Sequence, residues 1–122
     1  MPALPPLKPR VNVWLEVEDE VALSRWRIRL LQMVDRTGSI SAAAESMGIQ
    51  YRLAWQRIHE MEERLGIALV HASAGGRGGG GSTLTAEAQA LIAQFTAMIE
   101  AIDACATEHY AAQFHPTPSD AP

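Results

Sequence analysis

Arg52, Gln56, His59 and Glu63 recur at intervals of three to four residues, which sets them on one side of a helix. Arginine offers a planar fork of donors, and the glutamine amide carries a donor beside an acceptor. Two such groups one turn apart suit the edges of nucleobases. Arg pairs with guanine O6 and N7 and Gln with adenine N6 and N7, each for about 1–3 kcal/mol of discrimination. The opposite side of the same helix carries Ala54, Ile58, Met61 and Leu65, an apolar stripe suited to a core. Gln50 and Tyr51 stand at the helix entrance, where phosphate or base-edge contacts are made. Glu60, Glu62 and Glu63 oppose phosphate, so the C-terminal half of the helix is expected to point away from a polyanion. Trp55 borders the polar side and has two readings: a wedge locking the helix against the following hairpin, or a direct contact to nucleic acid.

Other chemistry finds no pattern to support it. His59, His71, His109 and His115 show no paired spacing and Cys105 has no cysteine partner, so no metal site is expected. His59 reads as a surface residue or phosphate donor. No Ser/His/Asp or Cys/His arrangement marks a nucleophile, and an enzyme is not expected. The segment Gly76-Arg77-Gly78-Gly79-Gly80-Gly81 does satisfy G-x-G-x-x-G, with a strand before it. A dinucleotide fold also needs a second parallel strand beyond the next helix, with an acid about 20 residues on. One long helix and the end of the sequence follow instead. A phosphate-binding P-loop fails as well, because Gly81 stands where the lysine before Ser82 belongs. The better account is a flexible hairpin tip. Its glycines let backbone N–H groups approach phosphates or a minor groove, with Arg77 as the charged reader beside Gly78 and Gly79. A mobile loop without a ligand is the bland alternative.

Several elements must position these residues. Val11, Val13, Leu15 and Val17 alternate with Asn12, Trp14 and Glu16, the period of a half-buried strand. Glu18-Asp19-Glu20 predicts a polar turn and Val21-Ala22-Leu23 a return strand. Ser24 is placed to cap a helix running to about Thr37, with Ile28, Leu31 and Val34 inward and Gly38 as its stop. Ser39 or Ser41 can cap a short second helix, Ser41 to Met47, in which Ala42, Ala43 and Ala44 allow close helix–helix approach. Gly48 turns the chain, Ile49 plugs the turn, and the third helix spans about Tyr51 to Leu65 before Gly66. Leu69 to Ser73 and Ser82 to Leu84 read as strands flanking the glycine loop. Thr85 is placed to cap a last helix reaching about Ala112, whose Leu91, Phe95, Met98, Ile99 and Ile102 form a heptad-like seam suited to a second copy of the chain.

Composition bounds the rest. A chain of 122 residues with 48% hydrophobic content holds one globular domain. The single cysteine excludes an internal disulfide framework and suits a reducing cytoplasm. No apolar run approaches the roughly 20 residues of a membrane span, and the proline-broken N-terminus has no secretory core. A cytoplasmic protein is expected. The net charge of −4 taken alone argues against a nucleic-acid partner, but its distribution is uneven. Between Ser24 and Arg57 six arginines (25, 27, 29, 36, 52 and 57) face two acids, Asp35 and Glu45. After Arg77 come five acids and no Lys or Arg. Phosphate responds to the local face rather than to the total.

The fold expected is mainly α with a small β wing: a winged helix-turn-helix with an N-terminal β-hairpin and a long C-terminal dimerisation helix. Residues 1–9 form a flexible lead, 10–84 the DNA-binding domain, 85–112 the dimerisation helix and 113–122 a disordered tail. Gly38-Ser-Ile-Ser-Ala-Ala-Ala44, Gly48-Ile-Gln-Tyr-Arg-Leu-Ala-Trp55, Ile58-His-Glu-Met61 and the run from Gly75 to Thr85 resemble the N-terminal domain of ModE-type molybdate-responsive regulators, relatives of the LysR-type winged helix. The resemblance covers about Val11 to Ile102. It implies a homodimeric bacterial transcription factor that binds double-stranded DNA at a palindromic operator. In full-length members of that family molybdate binds a separate C-terminal domain. This sequence ends soon after the long helix, so that domain is expected to be absent, and no cofactor and no oxyanion-binding residue are carried over. Gln50 stands where such proteins usually place Ser, which is expected to weaken the cap of the third helix. The competing reading is a dimeric protein-interaction adaptor that uses the same scaffold without sequence-specific DNA binding.

Overall fold

A tight turn starts the ordered architecture. Glu18 and Asp19 both take left-handed backbone angles, φ 50° and 68°, the pairing whose twist matches a two-residue hairpin. It joins β1 (Trp14–Val17) to β2 (Glu20–Ser24) in antiparallel register, with Val17 opposite Glu20. The computed structural model describes residues 3–76 and 79–114; Arg77, Gly78 and the expected tail from His115 onward lie outside the described residues.

The hairpin departs from its expected burial. The strand was expected over 11–17 with one face half-buried. It begins only at Trp14, and all four of its residues are exposed. The register slips between Leu15 and Glu16, with Ala22 of β2 as the extra residue, and β1 itself packs chiefly on β2, which leaves its side chains exposed. The inward face belongs to β2, where Ala22 and Leu23 are buried and the strand packs on α1 and α3.

Three helices follow: α1 (Arg25–Thr37) and α3 (Tyr51–Leu65) with the expected boundaries, and α2 (Ile40–Met47) starting one residue earlier than expected. Local hydrogen bonds set their ends. Ser24 Oγ accepts from Arg27 N–H at 3.1 Å, and Ser39 Oγ accepts from Ala42 N–H at 2.9 Å, so Ser39 rather than Ser41 caps α2. Gly38, Gly48 and Gly66 end the three helices in the left-handed conformation. Gln50 precedes α3 without any side-chain capping bond, as its replacement of the usual Ser implied. Ile28, Leu30, Leu31, Val34, Ala43, Ala44, Ala54, Ile58 and Met61 interlock in one core, with Met47, Ile49 and Leu65 packed at its edge.

The wing pairs β3 (Val70–Gly76) with β4 (Gly79–Leu84), Val70 opposite Leu84 and Gly76 opposite Gly79. Extended backbone thus enters the glycine run from both sides, and the loop is much shorter than the eight residues expected. Ladder pairing satisfies the N–H and C=O groups that a free glycine loop would leave to water. Gly81 has a separate role. Ser82 N–H donates to Gly38 O at 2.7 Å, and a Cβ on Gly81 would lie 2.8 Å from that carbonyl oxygen and 2.7 Å from Ser73 Oγ. Gly81→Ala is expected to loosen the wing from the α1–α2 turn at a cost of about 1–3 kcal/mol, visible as faster amide exchange at Ser82 and Thr83 while the core helices keep their protection.

Thr85 turns the chain into α4 (Ala86–Gln113). Its hydroxyl accepts from Ala88 N–H at 3.0 Å and donates to Ala68 O at 2.9 Å. Two expectations about α4 are corrected. Phe95 and Ile99 are buried in the chain's own core, because α4 packs on α1 through that side. They are therefore not free for a second copy. Leu91, Met98 and Ile102 stay partly exposed, and Cys105 is exposed. By length and composition α4 is also apolar enough to cross a membrane, with a mean hydropathy of 1.3 over its most apolar window. Asp103, in the same helix, is ion-paired to Arg25 at 2.9 Å, which ties α4 to the start of α1.

Candidate nucleic-acid interface

The outer side of α3 is open. Tyr51 is 52% and Trp55 44% exposed, Arg52 and Gln56 are exposed beside them, and the four line one shallow concavity. Neither Arg52 nor Gln56 has a side-chain hydrogen bond or ion pair among the described residues. The inner stripe accounts for this orientation. Ala54, Ile58 and Met61 are fully buried, so residues on the opposite side of the helix must face solvent.

Trp55 is 44% exposed on the outer side of α3. His59 braces it from within α3: the rings stack at 3.7 Å with 22° between planes. His59 Nδ1 lies 2.8 Å from Trp55 O, a bond in which the nitrogen must donate because a carbonyl only accepts. The His59 side chain keeps 41% of its exposure and borders the open face of α3. Gln50 is exposed at the entrance. Gly79 lies in β4, while Arg77 and Gly78 are outside the described residues.

The arginine-rich face is thinner than its linear count. Arg25 pairs with Asp103 at 2.9 Å. Arg27 and Arg57 each reach a different oxygen of Glu60 at 3.0 Å, and Arg64 NH1 lies 3.6 Å from the same carboxylate. Of the six arginines between Ser24 and Arg57, Arg29, Arg36 and Arg52 have no ion pair among the described residues. The charge balance of the sequence overstated the phosphate-binding surface because it could not see acids arriving from α3 and α4.

Those acids are what sequence reasoning misjudged. Burial pushes the Glu60 carboxyl up, but the hydrogen bond from Arg27 and the charges of Arg57, Arg27 and Arg64 outweigh it and hold the group below the ordinary carboxylate range. Arg64 also reaches β2, donating to Val21 O at 2.6 Å and pairing with Glu20 at 2.9 Å. Glu62 Oε2 accepts from the backbone N–H groups of Leu69 and Val70 at 2.8 and 3.2 Å. One signal could have found these roles. Three glutamates in the last turns of a helix oppose its dipole, which invites a search for tertiary partners. Among the described residues no three His, Cys, Asp or Glu side chains group to hold a metal ion.

The sequence model of the "Bacterial regulatory helix-turn-helix protein, lysR family" matches residues 26–89, more than half of the chain. The chain belongs to that family. Membership makes it a regulatory DNA-binding unit and not an enzyme. The match runs from α1 through the wing to the first turn of α4, so it includes the whole α3 face. Among curated relatives, the lysR-family domain is 43% identical over 72 residues to the molybdenum-pterin-binding protein MopB of Rhodobacter capsulatus, covering 59% of this chain and 27% of that protein. It is 39% identical over 84 residues to the molybdenum transport protein ModE of Azotobacter vinelandii, covering 69% and 31%. With the DNA-binding transcriptional dual regulator ModE of Escherichia coli K12 it shares 36% over 86 residues, covering 70% and 33%. The chain thus spans about a third of the length of these relatives. Among solved structures, the CbnR DNA-binding domain in complex with DNA aligns with a TM-score of 0.56 at 21% identity, over 71% of this chain and 94% of that one. The BenM DNA-binding domain on its catB site aligns with 0.54 at 22% identity, over 74% and 96%. Both establish the winged-helix fold.

Proposed function

We propose that this lysR-family domain is the DNA-reading part of a homodimeric, cytoplasmic transcription regulator linked to molybdenum metabolism. The observation that carries the reading is the unpartnered polar face at the N-terminal half of α3. Arg52 and Gln56 read base edges in the major groove there. Tyr51 and Trp55 pack on sugars or thymine methyls, and Gln50 meets the backbone at the helix entrance. Arg77, Gly78 and Gly79 grip flanking phosphates or the minor groove. The link to molybdenum rests on the relatives named MopB and ModE. Pairing through α4 is supported by the half-exposed Leu91, Met98 and Ile102 and the acids that keep the helix off DNA. A two-fold dimer then places half-sites about 34 Å apart, or a multiple of that.

The test is binding to duplexes from the region upstream of its own coding sequence, by fluorescence anisotropy across a salt series. Affinity is expected to fall steeply with salt. Arg52→Ala is expected to weaken it by about 1–3 kcal/mol and relax the preference at one base pair. Binding indifferent both to salt and to Arg52→Ala would overturn the assignment and leave the adaptor reading.

A further inference from the structure

Glu62 sits near the end of α3, yet its strongest contacts lie outside that helix. Its Oε2 accepts from Leu69 and Val70 N–H, at the entry to β3. Its Oε1 lies 3.9 Å from Nε2 of His59, whose ring is stacked on Trp55. The side chain retains 19% of its exposure, so solvent screens it little. A second attachment holds the other strand, where Ser82 N–H meets Gly38 O. Beside the packing of Leu69, Val70 and Leu84 on the core, two hydrogen-bonded attachments thus join the described part of the wing to the helix-turn-helix, and one is a side chain of α3.

A two-stranded hairpin rich in glycine has little of its own to fix its angle to the rest of the domain. The attachments must do so. A carboxylate that accepts two successive backbone N–H groups makes charge-assisted bonds, stronger and more directional than neutral ones. We infer that Glu62 is a positioning residue: it sets where the wing stands relative to α3. The inference rests on the DNA-binding reading of α3. Under it, wing contacts on the DNA flanking the major-groove site depend on an acid that itself touches no phosphate.

The experiment compares wild type, Glu62→Ala, Glu62→Gln and Arg52→Ala on one duplex by anisotropy and hydroxyl-radical footprinting. Circular dichroism and thermal unfolding are recorded for each. Glu62→Ala is expected to keep the helical fold, lose protection at the flanks, retain it at the centre and bind about tenfold more weakly, the scale of one charge-assisted hydrogen bond. Glu62→Gln keeps an acceptor without the charge, so its flank protection is expected to fall between wild type and alanine. Arg52→Ala is expected to show the reverse pattern, a weakened centre with protected flanks. Unchanged flanks in Glu62→Ala, or in Glu62→Gln should the alanine variant fail to fold, overturn the positioning role while leaving DNA reading intact. A wild-type protein without any footprint overturns the DNA reading instead, and the positioning role with it.

Discussion

Replacing Glu60 with alanine is expected to lower the unfolding free energy by about 3 kcal/mol, the low end for breaking a buried ion pair. The partner left behind is Arg27, whose side chain is only 11% exposed and whose other recorded acceptor is Arg57 O at 3.4 Å. A guanidinium in that position cannot return to water without displacing the α1–α3 contact. The low end applies because Glu60 itself keeps 28% of its exposure. Urea unfolding monitored by tryptophan fluorescence would measure the change. Arg27→Met combined with Glu60→Leu is expected to recover most of the loss, since an apolar pair of similar volume strands no charge. Failure of the double variant to recover would show that Arg57 and Arg64 depend on Glu60 as much as Arg27 does.

The same carboxylate gives stability a pH dependence with a definite sign. Its titration is lowered in the folded protein by Arg27, Arg57 and Arg64, which together outweigh the opposing effect of burial. A lowered carboxylate stabilises the fold while ionised, so its contribution is present above the ordinary glutamate range of about 4.3 and is lost as pH falls below it. Wild-type stability is therefore expected to decline more steeply than that of Glu60→Gln as pH is taken from 6 to about 3.

The largest single packing effect is expected at Ile58, fully buried on the inner stripe of α3 between α1 and α2. Ile58→Ala removes three carbons from the centre of the core and should cost about 3–4 kcal/mol, transfer and cavity combined. For a domain of this size that lowers the Tm by roughly 15 °C or more. Ile58→Val is expected to cost about 1 kcal/mol. The functional consequence follows from geometry, because Arg52 and Gln56 have no tertiary bonds and are aimed only by the packing of the opposite stripe. In Ile58→Ala, DNA affinity should fall even at a temperature where the variant remains folded. Affinity unchanged in a folded Ile58→Ala protein would mean that the cavity closes without tilting α3.

Local rules made the helices legible. Ser24, Ser39 and Thr85 cap, and Gly38, Gly48 and Gly66 terminate, through bonds reaching no more than four residues along the chain. The apolar periods that faced α1 and α3 inward act over the same range. From those the winged helix-turn-helix and its open α3 face followed. The alternation of β1 could not show that the strand packs chiefly on β2 and stays exposed, and the glycine loop is shorter than expected because strand pairing runs into it from both sides.

What the sequence by itself determined is where each helix starts and stops, which side of it is apolar, and the membership those motifs carry. Only the tertiary structure decided what each charge does. Arg27 meets Glu60 across 33 residues of chain and Arg25 meets Asp103 across 78, and Phe95 and Ile99 turned to their own core instead of a second copy. Helix and cap bonds are set by backbone geometry within one turn, so residue order specifies them directly. Ion pairs and core contacts depend on how whole elements pack, and no local spacing records which arginine is left without an acid.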